Sequence, residues 1–125
     1  MTKETATKLL TIYGEAWEKR DADLILTIFT EDASYNDPKE PENFGHAGIK
    51  NYWIKKVQGE QKDISFKLLN VWVDGDTMVA EWHADFIDVP RNLHISMDEV
   101  AIFTVRGDKF SSLREYYKST KTPLV

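Results

Sequence analysis

The hydrophobic period of this chain changes at about residue 62, and that change limits the folds open to it. Upstream, apolar residues recur at i, i+3, i+4 and i+7, the spacing of amphipathic helices. Downstream they alternate, the spacing of half-buried strands. The clearest alternation is Met78–Ile87. Met78, Ala80, Trp82, Ala84 and Phe86 share one face, and Val79, Glu81, His83, Asp85 and Ile87 share the other. The first face is expected against the helices and the second away from them. Helices are predicted at 3–20, 22–29 and 47–58, and strands at 33–37, 62–73, 77–88, 94–105 and 109–118. No strand is expected before residue 30. Helices grouped ahead of antiparallel strands give an α+β domain, with the helices on one side of a curved sheet.

Local signals place the boundaries. Asp21 is a capping residue for the second helix, whose apolar side is Leu24, Ile25 and Ile28. Pro38 stops the short strand, and 38–46 is rich in turn formers. Ile49, Trp53 and Val57 form the stripe of the third helix, with Tyr52 beside them, and Gly59 is expected to end it in the left-handed conformation. Asp74-Gly75-Asp76 and Arg106-Gly107-Asp108 are hairpin signals. The tail 119–125 is expected to be loosely held.

At 125 residues the chain is expected to form a single domain, 1–125. A net charge of −5 argues against a nucleic-acid binder, and no cationic stripe is interleaved with aromatics. No uncharged stretch approaches a membrane span, so no membrane association is expected. No signal peptide is visible, and a cytoplasmic location is expected. With no cysteine, thiolate chemistry and Cys-zinc sites are excluded. There is no P-loop, dinucleotide fingerprint or HExxH, so neither cofactor nor metal is expected. Glu81, His83 and Asp85 share a strand face, to be read either as a solvated polar face or as a metal site.

The chemistry centres on Ile95–Phe103, ISMDEVAIF. Glu99 shares a strand face with Ile95, Met97, Ala101 and Phe103. A carboxylate among apolar neighbours either reaches water through a bulge or register change, or sits in a pocket and shifts its pKa. The pocket reading gathers Asp37, Glu99 and Glu115 with Tyr13, Tyr35, Trp17, Trp53 and Trp82, and adds Phe86 and Met97 to its wall. Acids in apolar surroundings are suited to moving protons near neutral pH. Glu99 and Glu115 are expected as close cross-strand neighbours, one of them keeping its proton.

Several segments carry a resemblance to a known family. They are Trp17-Glu18-Lys19-Arg20-Asp21, Leu26–Phe29, Thr30-Glu31-Asp32-Ala33-Ser34-Tyr35-Asn36-Asp37-Pro38, Gly45-His46-Ala47-Gly48-Ile49 and Leu113-Arg114-Glu115-Tyr116-Tyr117. Together the chain resembles the nuclear-transport-factor-2-like superfamily, in its SnoaL-like branch, over almost its whole length. The resemblance implies a cone-shaped fold, three N-terminal helices on a strongly curved mixed sheet enclosing a cavity, and often a homodimer. Val100, Ile102 and Thr104 would then lie near the dimer interface. By resemblance to ketosteroid isomerase, Asp37 would move the proton, while Tyr13 and a protonated Glu99 would bond the oxyanion; glutamate stands where that family has aspartate. By resemblance to limonene-epoxide hydrolase, Glu99 and Glu115 would handle water, with Tyr35 and Asp37 beside them and Met97 in the place of an arginine. SnoaL itself is a polyketide cyclase. The function implied is cofactor-independent acid/base chemistry, of isomerase, cyclase or hydratase type, on a small apolar substrate. The alternative is a small-ligand-binding or protein-adaptor domain without turnover.

Overall fold

The computed structural model describes residues 1–125. Helix α1, Lys3–Lys19, starts where the Thr2 hydroxyl accepts from the Thr5 N–H and ends on Arg20 in the left-handed region (φ 53°). Its buried stripe is Ala6, Leu9, Leu10, Tyr13, Ala16 and Trp17. Gly14 lies on the same side, where a Cβ would come within 2.3 Å of the Phe66 ring, so its missing side chain lets that ring close on the helix.

Helix α2 is Ala22–Leu26, capped by Asp21, whose carboxylate accepts from the Asp23 and Leu24 N–H groups. It is shorter than the expected 22–29, because strand β1 begins at Phe29 and runs to Asn36. The expectations of a 33–37 strand and of none before residue 30 are therefore corrected. Phe29 is drawn into the sheet by parallel pairing with Phe110, and the Phe110 N–H bonds the Ile28 carbonyl at 2.8 Å. A two-residue strand β2, Asn43–Phe44, was not anticipated and pairs back on β1.

Helix α3, Gly45–Tyr52, passes into a π-helical stretch, Trp53–Gln58, and Ile49, Trp53 and Val57 are buried as the spacing predicts. Gly59 is not left-handed; its φ is −80°. Strands β3 (Gln61–Asp74), β4 (Thr77–Asp88), β5 (Leu93–Arg106) and β6 (Lys109–Pro123) follow. The tail is held rather than loose. Leu93 pairs with Pro123, and the Leu124 N–H bonds the Asn92 carbonyl at 3.0 Å.

The result is an α+β fold. Its six-stranded sheet has the order β2-β1-β6-β5-β4-β3, antiparallel except for β1–β6, so it is mixed, and it curves without closing into a barrel. Only α1 and α2 precede the sheet; α3 is inserted after β1 and β2. Bulges interrupt β3 at Lys62/Ser65 and at Leu68/Asn70, positions that sharpen local twist. Met78, Ala80, Trp82, Ala84 and Phe86 are buried on the concave side, as the alternation requires, in one core cluster with the helices. The opposite side exposes Trp72, Val100 and Tyr116. No helix is long and apolar enough to cross a membrane.

Candidate active site

The concave face of β5 and β6 is apolar at one end and becomes polar along its length. Phe103 pairs with Leu113, Ala101 with Glu115, Glu99 with Tyr117, Met97 with Ser119 and Ile95 with Lys121. Over the polar part opens a cavity of ≈ 360 Å³, within the size range of small-molecule sites. Tyr13, Trp17, Tyr35, Asp37, Trp53, Phe86, Met97, Glu99 and Glu115 all line it. Trp82, expected on the wall, does not. It is fully buried beneath Tyr13 and Phe66, with ring centroids 5.1 and 5.3 Å away, and belongs to the core.

Glu99 is 2% exposed and Glu115 7%, so β5 keeps its register and Glu99 points inward. The two are not directly opposite, as expected, but diagonal, since Glu115 faces Ala101. Their side chains still approach closely enough for each carboxyl group to shift the other. Burial is the main cause that raises both carboxyl groups above the carboxylate range, Glu115 to about 8. For Glu99 the charge of Glu115 adds to burial; for Glu115 the neighbouring Glu99 carboxyl offsets part of it. The pair is a dyad that retains a proton at neutral pH. One Glu99 oxygen and the Trp82 and Trp53 indole N–H groups are buried with no protein partner.

Tyr13 lies beside the dyad, but its hydroxyl is engaged with that of Tyr35 at 3.1 Å. Burial, ahead of neighbouring charge, raises both phenols well above their ordinary value, so they remain protonated. Asp37 stands at the end of β1 and accepts three hydrogen bonds. They come from the hydroxyls of Tyr52 (2.6 Å) and Tyr117 (2.8 Å) and from the Lys39 N–H (3.0 Å). Burial pushes the Tyr52 and Tyr117 phenols up as well, keeping both as donors. A carboxylate is acceptor-only and matches three donors.

The rim is charged. Lys56 pairs with Glu40 and Glu60, and Arg91 with Glu60 and Asp88. The Trp17 indole donates to Gln61 at 2.8 Å, fixing that ring against the opening. Sequence reasoning missed Tyr52 and Tyr117 as site residues, together with Lys39, Ser119 and Lys121. The signal for Tyr117, Ser119 and Lys121 was available, since all follow Glu115 at steps of two. Tyr52 sits directly before Trp53 but carried no distinguishing pattern.

On the outer face, Glu81, His83 and Asp85 are engaged with near neighbours. Asn70 donates to Glu81 at 2.7 Å, and His83 bonds Asp98 and Asp85 at 2.9 Å each.

Comparison with known proteins agrees with this architecture. A family model described as a SnoaL-like domain matches residues 11–113. No curated protein matches the sequence. Among solved structures, the chain is similar to a nuclear-transport-factor-2-like protein from Anabaena variabilis, with a TM-score of 0.81, 21% identity, and 94% of this chain and 89% of that one covered. It is similar to an epoxide hydrolase/cyclase-like enzyme with a role in pyran ring formation in the polyether salinomycin (TM-score 0.77, 21% identity, 94% and 95% covered). It is also similar to an epoxide hydrolase of limonene-epoxide-hydrolase type from M. tuberculosis (TM-score 0.75, 16% identity, 92% and 84% covered). At these identities the likeness carries the fold.

Proposed function

The chain belongs to the SnoaL-like domain family, and from that premise we propose that it is a cofactor-independent acid/base enzyme acting on a small, largely apolar substrate. One observation carries this reading. A buried carboxyl dyad that keeps a proton and a carboxylate held by two tyrosines line the same cavity. Asp37 accepts a proton from a carbon or from water. The dyad gives a proton to the oxygen on which negative charge develops. Both carboxyl groups line the cavity, so one gives its proton to the substrate oxygen and is resupplied by the other. Tyr13 and Tyr35 support the dyad, and Trp17, Trp53, Phe86 and Met97 form apolar walls that favour neutral acids by excluding water.

This chemistry suits isomerisation, cyclisation or hydration. The neighbouring structures named for epoxide hydrolysis and ring formation are compatible with it, although the fold alone does not choose. The test is proton exchange. Wild-type protein in D2O, incubated with a panel of enolisable ketones and epoxides, should exchange or convert at least one. Asp37→Asn and Glu99→Gln should each lower that rate about 10²–10⁴-fold, the contribution typical of one acid/base group. Binding of panel members with no exchange or turnover by the wild type would favour a ligand-binding pocket instead.

A further inference from the structure

The charges around the opening are not evenly paired. Glu40, Glu60 and Asp88 are all engaged by Lys56 and Arg91 on the side built from the π-helical stretch and the β4–β5 turn. Two further cations, Lys39 and Lys121, line the same cavity and have no carboxylate within ion-pair distance. They share one wall. Lys39 lies over the Tyr117 ring, 5.1 Å from its centroid. Tyr117, Ser119 and Lys121 then follow on the concave face of β6. Two residues along a strand span about 7 Å, so Ser119 stands on the same face between Tyr117, which carries the Lys39 ammonium, and Lys121. Of the acids beside this wall, Asp37 has its oxygens occupied by Tyr52, Tyr117 and the Lys39 N–H, and Glu99, cross-strand from Tyr117, is held with Glu115 in the dyad.

Two ammonium groups and a hydroxyl form a donor set for an oxyanion. Along β6, Ser119 lies about 13 Å from Glu115, at four residues of strand rise. One elongated molecule therefore spans both ends. We propose that the substrate carries an anionic group, carboxylate or phosphate, held at the mouth by Lys39, Ser119 and Lys121, while its neutral, apolar end reaches the dyad. This rests on the acid/base reading for what happens at the deep end, but not for the recognition itself. It also gives the substrate one orientation. An anion is stabilised at the cationic wall and is excluded from the dry region beside Glu99 and Glu115, where charge is costly to bury.

The experiment is calorimetric titration of the whole chain, at low and high salt, with three matched probes: cyclohexylacetate, cyclohexylmethyl phosphate and the neutral cyclohexylacetamide. At least one anion should bind more tightly than the amide and weaken at high salt. The tighter of the two identifies the source of the oxyanion. Lys39→Gln and Lys121→Gln should each weaken anion binding about two- to fivefold, the range of exposed ion pairs, and leave the amide unchanged. Equal or better binding of the amide, no binding of either anion, or anion binding untouched in both lysine variants overturns the proposal. Glu99→Gln separates the two readings. Anion preference retained with unchanged proton exchange overturns the acid/base reading alone. Loss of exchange in Glu99→Gln, with no anion preference in the wild type, overturns this proposal alone.

Discussion

Asp98 and Glu99 are adjacent on β5 and point to opposite sides of the sheet. Glu99 enters the buried end of the cavity, meets Glu115 and is raised well above the carboxylate range, chiefly by burial. Asp98 lies on the outer face, where it bonds His83 at 2.9 Å. The same alternation acts on β4, where Trp82 is fully buried and its neighbour His83 is 36% exposed along its side chain. On both faces an acid meets a titratable partner. Inside, desolvation dominates, and the pair is stabilised by keeping a proton. Outside, solvent screens the charges, and a direct hydrogen bond from an unlike partner is the main cause of the shift at His83. Chemistry is thus placed by the parity of a residue on its strand more than by its type.

The contrast breaks most severely at Trp82. Removing a large buried ring leaves a cavity beneath Tyr13 and Phe66, so Trp82→Ala should lose about 3–5 kcal/mol in urea denaturation. A loss under about 1 kcal/mol would mean that the concave face is not the packed side. Because Trp82 does not line the cavity, a more conservative Trp82→Phe that folds should retain ligand binding.

The dyad gives the next effect. Both carboxyl groups have raised values in the folded chain, against an ordinary 4.5, so the folded state binds more protons than the unfolded one from 4.5 up to the raised values, about 8 for Glu115. Their contribution is therefore full below pH 4.5 and is lost as pH rises through the raised values, about 8 for Glu115. Each tenfold change in proton affinity between the folded and unfolded chain corresponds to about 1.4 kcal/mol. The Glu99→Gln/Glu115→Gln double variant does not titrate there. The stability of wild type minus that of the variant should fall by several kcal/mol across this window. A flat difference would mean that both acids are solvated.

Some of this was legible in the chain and some was not. The period change and the parity of Met78–Ile87 and of Ile95–Phe103 depend on local alternation; parity set Glu99 on the apolar face of its strand and Glu115 on a face with Leu113, while leaving open whether either acid reached water. The α2–β1 boundary depends on a distant partner. Leu24, Ile25 and Ile28 fit a helix to 29, but Phe110, far along the chain, claims Phe29 for the sheet. The polar tail likewise becomes strand only because β5 offers it an edge. Trp82 on its strand and Trp53 on its helix are both marked as inward-facing by their spacing, yet only Trp53 reaches the cavity, because Tyr13 of α1 and Phe66 cover the Trp82 ring. The tyrosine clamp on Asp37 joins residues 15 and 80 positions away, a separation that no spacing rule reaches.

The smallest effect sharpens the outer half of the contrast. The hydrogen bond to Asp98 is the main cause that raises His83 above its ordinary 6.5; burial opposes it, and the bond to Asp85 and the charges of both carboxylates add to the rise. His94 also approaches Asp85, at 3.3 Å, and Ser96 lies 3.3 Å from His83, while Lys67 and Lys118 are the cross-strand partners of His83 and Asp98. A histidine with a raised folded value stabilises fully below the unfolded 6.5, and this stability is lost as pH rises through the raised value. Solvent exposure limits the gain to about 0.2–1 kcal/mol, smaller still at high salt. His83→Gln should remove this increment in urea denaturation below pH 6.5 and leave stability at alkaline pH nearly unchanged. It should also leave the dyad's pH dependence intact, because the two sites face opposite sides of the sheet. NMR titration of the His83 ring checks the premise directly. A midpoint at or below 6.5 would mean that the carboxylates do not hold the imidazolium, and the outer cluster would then be no more than a solvated polar face.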